Sequence, residues 1–258
     1  MATPPPLPAP ATSLLARMFN IFATPGEVFD EVKYARPSPA NWLAPVLLSI
    51  LAGAISVLII FSQPAVLQQM HEQQTKAFEE RVNSGKMTRA QADQAEAVVG
   101  KFGGPALFKF TGIIGVLIMT FIRVFWWALV LWLLAKWFLK TKIAFDKSLE
   151  VAGLAFMVQF LGSIVGALLS VMAGKVSSLS LALLAPNADP RSLLHLCLAA
   201  VDLFNLWLVG VMAVGLSRLT GAPWSKALAL TFGYWLVMTS VLVSFGWLAI
   251  YLSTAFNK

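Results

Sequence analysis

An uncharged run of 20 residues, WLAPVLLSILAGAISVLIIF at 42–61, constrains this chain more than any other feature. A helix of that length crosses the roughly 30 Å hydrocarbon core of a bilayer. Four further apolar runs follow, at 110–139, 151–173, 193–217 and 227–252. The pattern predicts an all-α polytopic membrane protein: a five-span helical bundle with amphipathic helices at its N-terminus.

The composition excludes an ordinary soluble enzyme. The chain is 58% hydrophobic and 12% charged, whereas soluble domains are about 45–50% apolar and about 25% charged. A single cysteine, Cys197, allows no intramolecular disulfide and no cysteine-based metal site. We assign the net charge of +7 to loops that face an anionic leaflet, and expect no nucleic-acid partner.

Motifs that would indicate catalysis are missing or weak. The chain has no HExxH, Walker or dinucleotide-binding motif. An intramembrane aspartyl protease needs two aspartates within spans, and only Asp202 qualifies. A rhomboid-like pair of Ser163 and His195 is conceivable, but helix packing explains the Gly–Ser pattern around Ser163 better. We therefore predict no catalytic residue, no metal and no cofactor.

Two segments precede the first span. Residues 1–12 are Pro-rich and predict a disordered tail. Residues 13–36 predict two short amphipathic helices whose apolar faces include Phe19, Phe22 and Phe29. These helices suit the membrane interface or a cap that packs under the bundle, and the two placements are compatible.

The polar segment 63–105 predicts an extracytoplasmic helical hairpin. Pro64 suits a first helical turn, and Thr88 with Gln91 forms a capping box for a second helix. The hairpin is either a solvated connector or a surface that binds a partner.

An internal repeat relates the second and third spans to the fourth and fifth. The turn TKIAFDKSL at 141–149 resembles TGAPWSKAL at 220–228, which lies 79 positions later. We interpret the two halves as similar helical hairpins of the same orientation, with chance similarity of apolar spans as the alternative.

The same offset relates the two ionisable residues deep within the spans, Arg123 and Asp202. A charge at the middle of a bilayer costs roughly 2.5–3.5 kcal/mol on insertion scales, so such residues are usually paired. We predict a direct ion pair between them, completed by Asn205. A structural link between the two hairpins is the favoured role, and a proton or ion relay is the alternative.

The third span contains small residues at every fourth position. Helices approach closely along such a pattern, so it predicts a packing face toward another span or another subunit. The residues are Gly162, Gly166, Ser170 and Gly174.

The chain resembles the Yip (Rab-interacting protein) membrane family in its bacterial form. The resemblance rests on FATPGEVFDEV at 22–32, NWLAPVLLSI at 41–50, MTRAQADQ at 87–94 and KIAFDKSLEVAGLAF at 142–156. It implies five spans, a cytoplasmic N-terminus and no catalytic residues. Eukaryotic members of the family act in vesicle traffic and membrane shaping beside Rab GTPases, and some bacterial relatives resemble accessory subunits of export machines.

Two functions follow as hypotheses. The first is a non-enzymatic scaffold that organises the membrane, or an accessory subunit of a transport or export system. The second is a small transporter or channel for an ion or lipid, with a polar site at Arg123 and Asp202. The expected partners are the lipid bilayer and a membrane protein such as a transporter subunit, and a homo-oligomer stays open.

Short-loop basic residues predict the orientation in a bacterial inner membrane, because cytoplasmic loops are enriched in Lys and Arg. The N-terminus and the loops near 140 and 220 are then cytoplasmic, and the 63–105 hairpin and the C-terminus are periplasmic. The loop residues that decide this are Lys136, Lys140, Lys142, Lys147, Arg218 and Lys226 on one side, against Lys175 and Arg191 on the other.

This orientation predicts the accessibility of Ser84 in the hairpin. A Ser84→Cys variant that also carries Cys197→Ser should react with an impermeant thiol reagent in intact spheroplasts. Labelling that requires lysis would reverse the predicted topology.

Overall fold

The computed structural model describes residues 12–102, 104–185 and 188–255. The predicted tail 1–12, apart from Thr12, and the C-terminal Lys258 lie outside these ranges. The described chain is helical and contains no strand. The helices are α1 (Leu14–Asn20), α2 (Pro25–Tyr34), α3 (Ala40–Ile60), α4 (Pro64–Asn83), α5 (Arg89–Phe102), α6 (Pro105–Leu133), α7 (Phe145–Ala155), α8 (Met157–Ala173), α9 (Leu193–Ala200), α10 (Leu203–Thr220) and α11 (Trp224–Ala255).

Within the described residues, five helical stretches are long and apolar enough to cross a membrane. They are Ala40–Ile60, Pro105–Phe138, Phe145–Ala173, Leu203–Thr220 and Trp224–Leu252. The second includes a π-helical turn that continues α6, and the third joins α7 to α8. The expected all-α fold with five spans is confirmed.

Helix α7 lies at the centre of the bundle. Every residue from 148 to 158 is buried, and α7 packs against α2, α3, α6 and α10. A helix can be surrounded in this way only if neighbouring backbones approach closely. Two glycines make the approach possible: a Cβ on Gly153 would lie 2.3 Å from Trp42 Cα, and one on Gly215 would lie 2.3 Å from Val151 Cγ1.

The third span divides at Phe156, between α7 and α8. Two hydroxyls of α3 donate to backbone oxygens of this span: Ser49 Oγ to Phe156 O (3.2 Å) and Ser56 Oγ to Ser163 O (3.0 Å). Both hydroxyls also contact a carbonyl oxygen of their own helix, at Pro45 and Ala52. These contacts fix the register of α3 against α8 inside the apolar bundle.

The predicted fourth span, 193–217, is not one helix. Helix α9 ends at Ala200 and α10 begins at Leu203, with an isolated antiparallel bridge between Ser180 and Asp202 at the break. Asp202 is extended (φ −108°, ψ 137°) and its side chain caps α10. A carboxylate at this position satisfies N–H groups that have no partner within the helix, so it begins a new helix and interrupts the old one.

The repeated turns begin helices at matching positions. Helix α7 starts at Phe145 and α11 starts at Trp224, the aromatic pair aligned by the repeat. The two halves then differ. The span from α7 divides at Phe156 and is surrounded by helices, whereas α11 runs unbroken to Ala255 and packs mainly on α9 and α10.

Local sequence signals correctly predict where the helices of the polar hairpin begin. Helix α4 begins at Pro64. The capping box before α5 is formed in both directions: Thr88 N donates to Gln91 Oε1 (2.9 Å), and Gln91 N donates to Thr88 Oγ1 (3.2 Å). Helices α4 and α5 pack against each other.

The tight approach at Gly153 predicts a large cost for a single methyl group. Gly153→Ala should lower the free energy of unfolding by about 1–3 kcal/mol, because the new Cβ meets the backbone of Trp42. Gly210→Ala is the matched control, since a Cβ there meets nothing within 4 Å, and it should be neutral or stabilising. Thermal unfolding in detergent measures both, and equal melting temperatures would contradict the close packing.

Candidate functional site

A polar cluster surrounds Arg123 between the spans. Arg123 Nη2 donates to Asn205 Oδ1 at 3.3 Å, and Gln159 Nε2 donates to the same oxygen at 3.2 Å. The guanidinium also lies over the Phe156 ring, 5.8 Å from its centroid. Three spans therefore meet at one amide oxygen, through side chains of α6, α8 and α10.

The predicted ion pair between Arg123 and Asp202 is wrong, because Asn205 is the partner of Arg123. Asp202 Oδ1 accepts from the backbone N–H groups of Phe204 (2.9 Å) and Asn205 (3.2 Å). Within the described chain no hydrogen bond or ion pair joins Arg123 to Asp202, which acts on the guanidinium only through space. The carboxylate caps the N-terminus of α10, and Asn205 contacts both charged residues: its side-chain oxygen accepts from Arg123, and its backbone N–H donates to Asp202.

A cavity of about 330 Å³ adjoins the guanidinium, between α3, α6 and α8. Thr120 and Ser163 in its wall donate their hydroxyl protons to carbonyl oxygens of their own helices, and Ser49 donates to Phe156 O. Their oxygens can still accept, but Arg123 is the cationic donor of the wall. The lining is Ser49, Gly53, Gly115, Val116, Met119, Thr120, Arg123, Phe156, Gln159 and Ser163.

The small residues of α8 serve several contacts and do not form one packing face. A Cβ on Gly162 would lie 3.0 Å from the Phe204 ring of α10, as expected for helix packing. Ser170 Oγ instead accepts from Ser177 N at 2.9 Å, which holds the chain that returns after the helix. Gly174 ends α8 in the left-handed conformation (φ 63°), and Gly166 approaches only the Ser177 carbonyl, at 3.7 Å.

Helix α1 is buried on one side and exposed on the other. Met18 is buried, whereas Leu15 is 63% exposed and Phe19 is 62% exposed. Arg17 locks the helix in place: Nε contacts Glu31 Oε2 of α2 at 3.2 Å, and Nη1 donates to Asn41 Oδ1 of α3 at 3.3 Å. The exposed apolar edge of α1 is thus held rigidly against the bundle.

The interfacial role predicted for Phe29 is wrong. Phe29 is fully buried, with Val28 and Val32, where α2 packs on α10 and α7. Phe22 is partly buried and lies 5.8 Å from the Trp207 ring. The amphipathic pattern identified the apolar face of α2 correctly, but the bundle covers that face, so α2 is a structural cap.

A buried ion pair holds α2 against α7, and sequence reasoning missed it. Lys147 Nζ lies 3.2 Å from Glu150 Oε2, and Glu150 is 1% exposed. The ammonium also donates to the carbonyl oxygens of Val32 (2.7 Å) and Ala35 (2.8 Å), at the C-terminal end of α2. Glu150 Oε1 accepts from Ser38 N. The available signal was a Lys and a Glu three residues apart at the start of an apolar span.

A second cavity, of about 670 Å³, lies between α2 and the turn from α10 to α11. Arg218 Nη1 contacts Asp30 Oδ2 across it at 2.9 Å. Neither cavity holds a metal-ligand set: the described residues contain no group of three or more His, Cys, Asp and Glu side chains that could bind a metal ion.

The described chain has five apolar spans, the third of which contains the buried helix α7, and this arrangement defines a multi-pass, all-α membrane protein. The model of the Yip1 domain family matches residues 19–245, so the chain belongs to that family. This family is not known as enzymatic. Comparisons with curated proteins and with solved structures find no match.

The Lys147–Glu150 pair yields a stability prediction. Lys147→Met should lower the free energy of unfolding by about 3–5 kcal/mol, because it leaves a buried carboxylate without its cation. Lys142→Met, at an exposed lysine of the same connection, is the matched control and should change little.

The double variant Lys147→Met/Glu150→Leu should recover much of the loss, because neither charge is then stranded. Thermal unfolding in detergent reports all three variants. A double variant less stable than Lys147→Met would contradict the proposed pairing.

Proposed function

We propose that the protein is a non-enzymatic membrane-organising scaffold, or an accessory subunit of a membrane transport system. The observation that carries the proposal is the rigid presentation of α1. Leu15 and Phe19 are exposed while Arg17 ties the same helix to α2 and α3.

An apolar helix edge at the interface inserts about 5–10 Å into one leaflet. On a flexible tether, such an insertion would leave the rest of the protein free to adopt any tilt. Here the ion pair and the amide contact of Arg17 join the inserted edge to the spans. Insertion of α1 then displaces lipid in one leaflet at a fixed position beside the bundle.

The basic residues of the loops near 140 and 220 support a cytoplasmic location for α1, since α2 contacts Lys147 and Arg218 of these loops. Exposed aromatic side chains at the same end of the spans fit a membrane–water interface: Trp137, Phe138 and Trp224. We place the N-terminus in the cytoplasm and the C-terminus in the periplasm of a bacterial inner membrane. The partners are the bilayer and a membrane protein such as a transporter subunit, or a second copy of the chain.

The Arg123 cavity favours a second candidate, a small transporter for an ion or lipid. It combines a cation, an amide and hydroxyls in the middle of the spans. Assays in proteoliposomes separate the two candidates. A transporter moves a solute across the membrane or a lipid between its leaflets, whereas a scaffold changes only membrane shape or partner recruitment.

The scaffold proposal predicts a loss of function when the exposed edge of α1 is made polar. Proteoliposomes with the wild-type chain should contain smaller, more curved vesicles than those with the Leu15→Ser/Phe19→Ser variant, because the variant no longer inserts into one leaflet. Vesicle diameters measured by cryo-electron microscopy test this.

Leu184→Ser is the matched control. Leu184 is 80% exposed in a short turn on the opposite side of the predicted membrane, so this variant should match wild type. Identical diameters for the wild type and the α1 variant would reject membrane shaping by α1.

A further inference from the structure

Within the described chain, no anionic side chain is in direct contact with Arg123. Its hydrogen-bond acceptor there is the neutral Asn205 amide, and its side chain is exposed in the protein alone. One N–H of the guanidinium is used in that bond, while the group carries five. A span charge without an anionic contact is costly in hydrocarbon, so the protein leaves donors and charge available at this position.

The cavity beside Arg123 is open toward the surface of the bundle. Met119, in its wall, is 52% exposed. A Cβ on Gly115 would meet nothing within 4 Å, so the α6 backbone borders empty space there. A ligand can therefore approach the cavity beside α6, from the side that faces lipid.

We propose that the Arg123 cavity binds a phosphate oxyanion, supplied by a phospholipid headgroup or by free inorganic phosphate. The planar guanidinium matches two oxygens of a phosphate group in a bidentate contact. Anion binding would supply the neutralising charge that Asp202 does not provide by contact, because its carboxylate caps α10.

The depth of Arg123 distinguishes this site from ordinary lipid contacts. It lies 13 residues before Lys136 and 14 after Lys109 on one helical stretch, or about 20 Å from each along the helix axis. Interfacial headgroups near those lysines do not reach it. A bound phosphate has thus entered the bundle, where it meets the guanidinium in the cavity wall.

The test compares two glycine variants of the full-length protein. Gly115→Leu fills the cavity and keeps Arg123. Gly233→Leu places the same side chain on α11, where a Cβ also meets nothing within 4 Å. Arg123→Gln removes the cation, with folding checked by circular dichroism and size exclusion.

Native mass spectrometry measures retention of phosphatidylglycerol, with diacylglycerol of the same acyl chains as the phosphate-free lipid. Wild type and Gly233→Leu should retain one more phosphatidylglycerol than Gly115→Leu and Arg123→Gln. Affinity should fall about tenfold in the latter two, as for loss of a charged hydrogen bond. A second measurement identifies the source of the phosphate: inorganic phosphate is added to lipid-free protein and the melting temperature is followed. A rise in melting temperature that requires Arg123 and an open cavity assigns a free anion. Retention of phosphatidylglycerol without that rise assigns the lipid.

Equal retention of phosphatidylglycerol and diacylglycerol, together with no phosphate shift that requires Arg123, would overturn the proposal. So would phosphatidylglycerol retention and phosphate shifts in Gly115→Leu that match those of Gly233→Leu. The inference goes beyond the scaffold proposal and does not depend on it, because vesicle shape should be the same for Gly115→Leu and wild type.

Discussion

The structure depends on the close packing of other helices around α7. Gly153 lets α3 lie against α7 at Trp42, and Gly215 lets Val151 and Phe29 pack against α10. With these two glycines, one span makes contacts on every side and is buried from 148 to 158. The other spans can then face lipid on their outer sides, because α7 supplies the common interior against which they pack.

The buried centre is linked to the surface by Lys147 and Glu150. The pair sits at the start of α7, and its ammonium also binds the last carbonyls of α2. Cations at a helix C-terminus complement unpaired carbonyl groups and the helix dipole. Because α2 is held by α7, and Arg17 holds α1 to α2, the position of the exposed edge of α1 follows from the packing of the core.

Signals confined to a few residues could be read from the sequence. Pro25 and Pro64 begin helices, and Thr88 with Gln91 forms its capping box. Contacts between residues that a chain reversal brings together could not be read from the sequence. At the break before Leu203, Asp202 both caps α10 and pairs with the chain that returns after α8, and no periodicity in an apolar run encodes that pairing. Phe29 shows the related limit: a hydrophobic face is readable, but whether lipid or another helix covers it is a tertiary fact.

The two span charges illustrate different solutions to one energetic problem. Asp202 is satisfied within its own helix, because an N-cap carboxylate accepts backbone N–H groups that would otherwise lack partners. Arg123 has no equivalent, since the free groups at a helix N-terminus are donors and cannot serve a cation. It contacts one amide oxygen that Gln159 also uses and lies beside an open cavity. This difference explains why Arg123 and Asp202 form no direct ion pair although they occupy equivalent positions in the repeat. It also explains why Arg123, and not Asp202, is the residue that can bind an additional ligand.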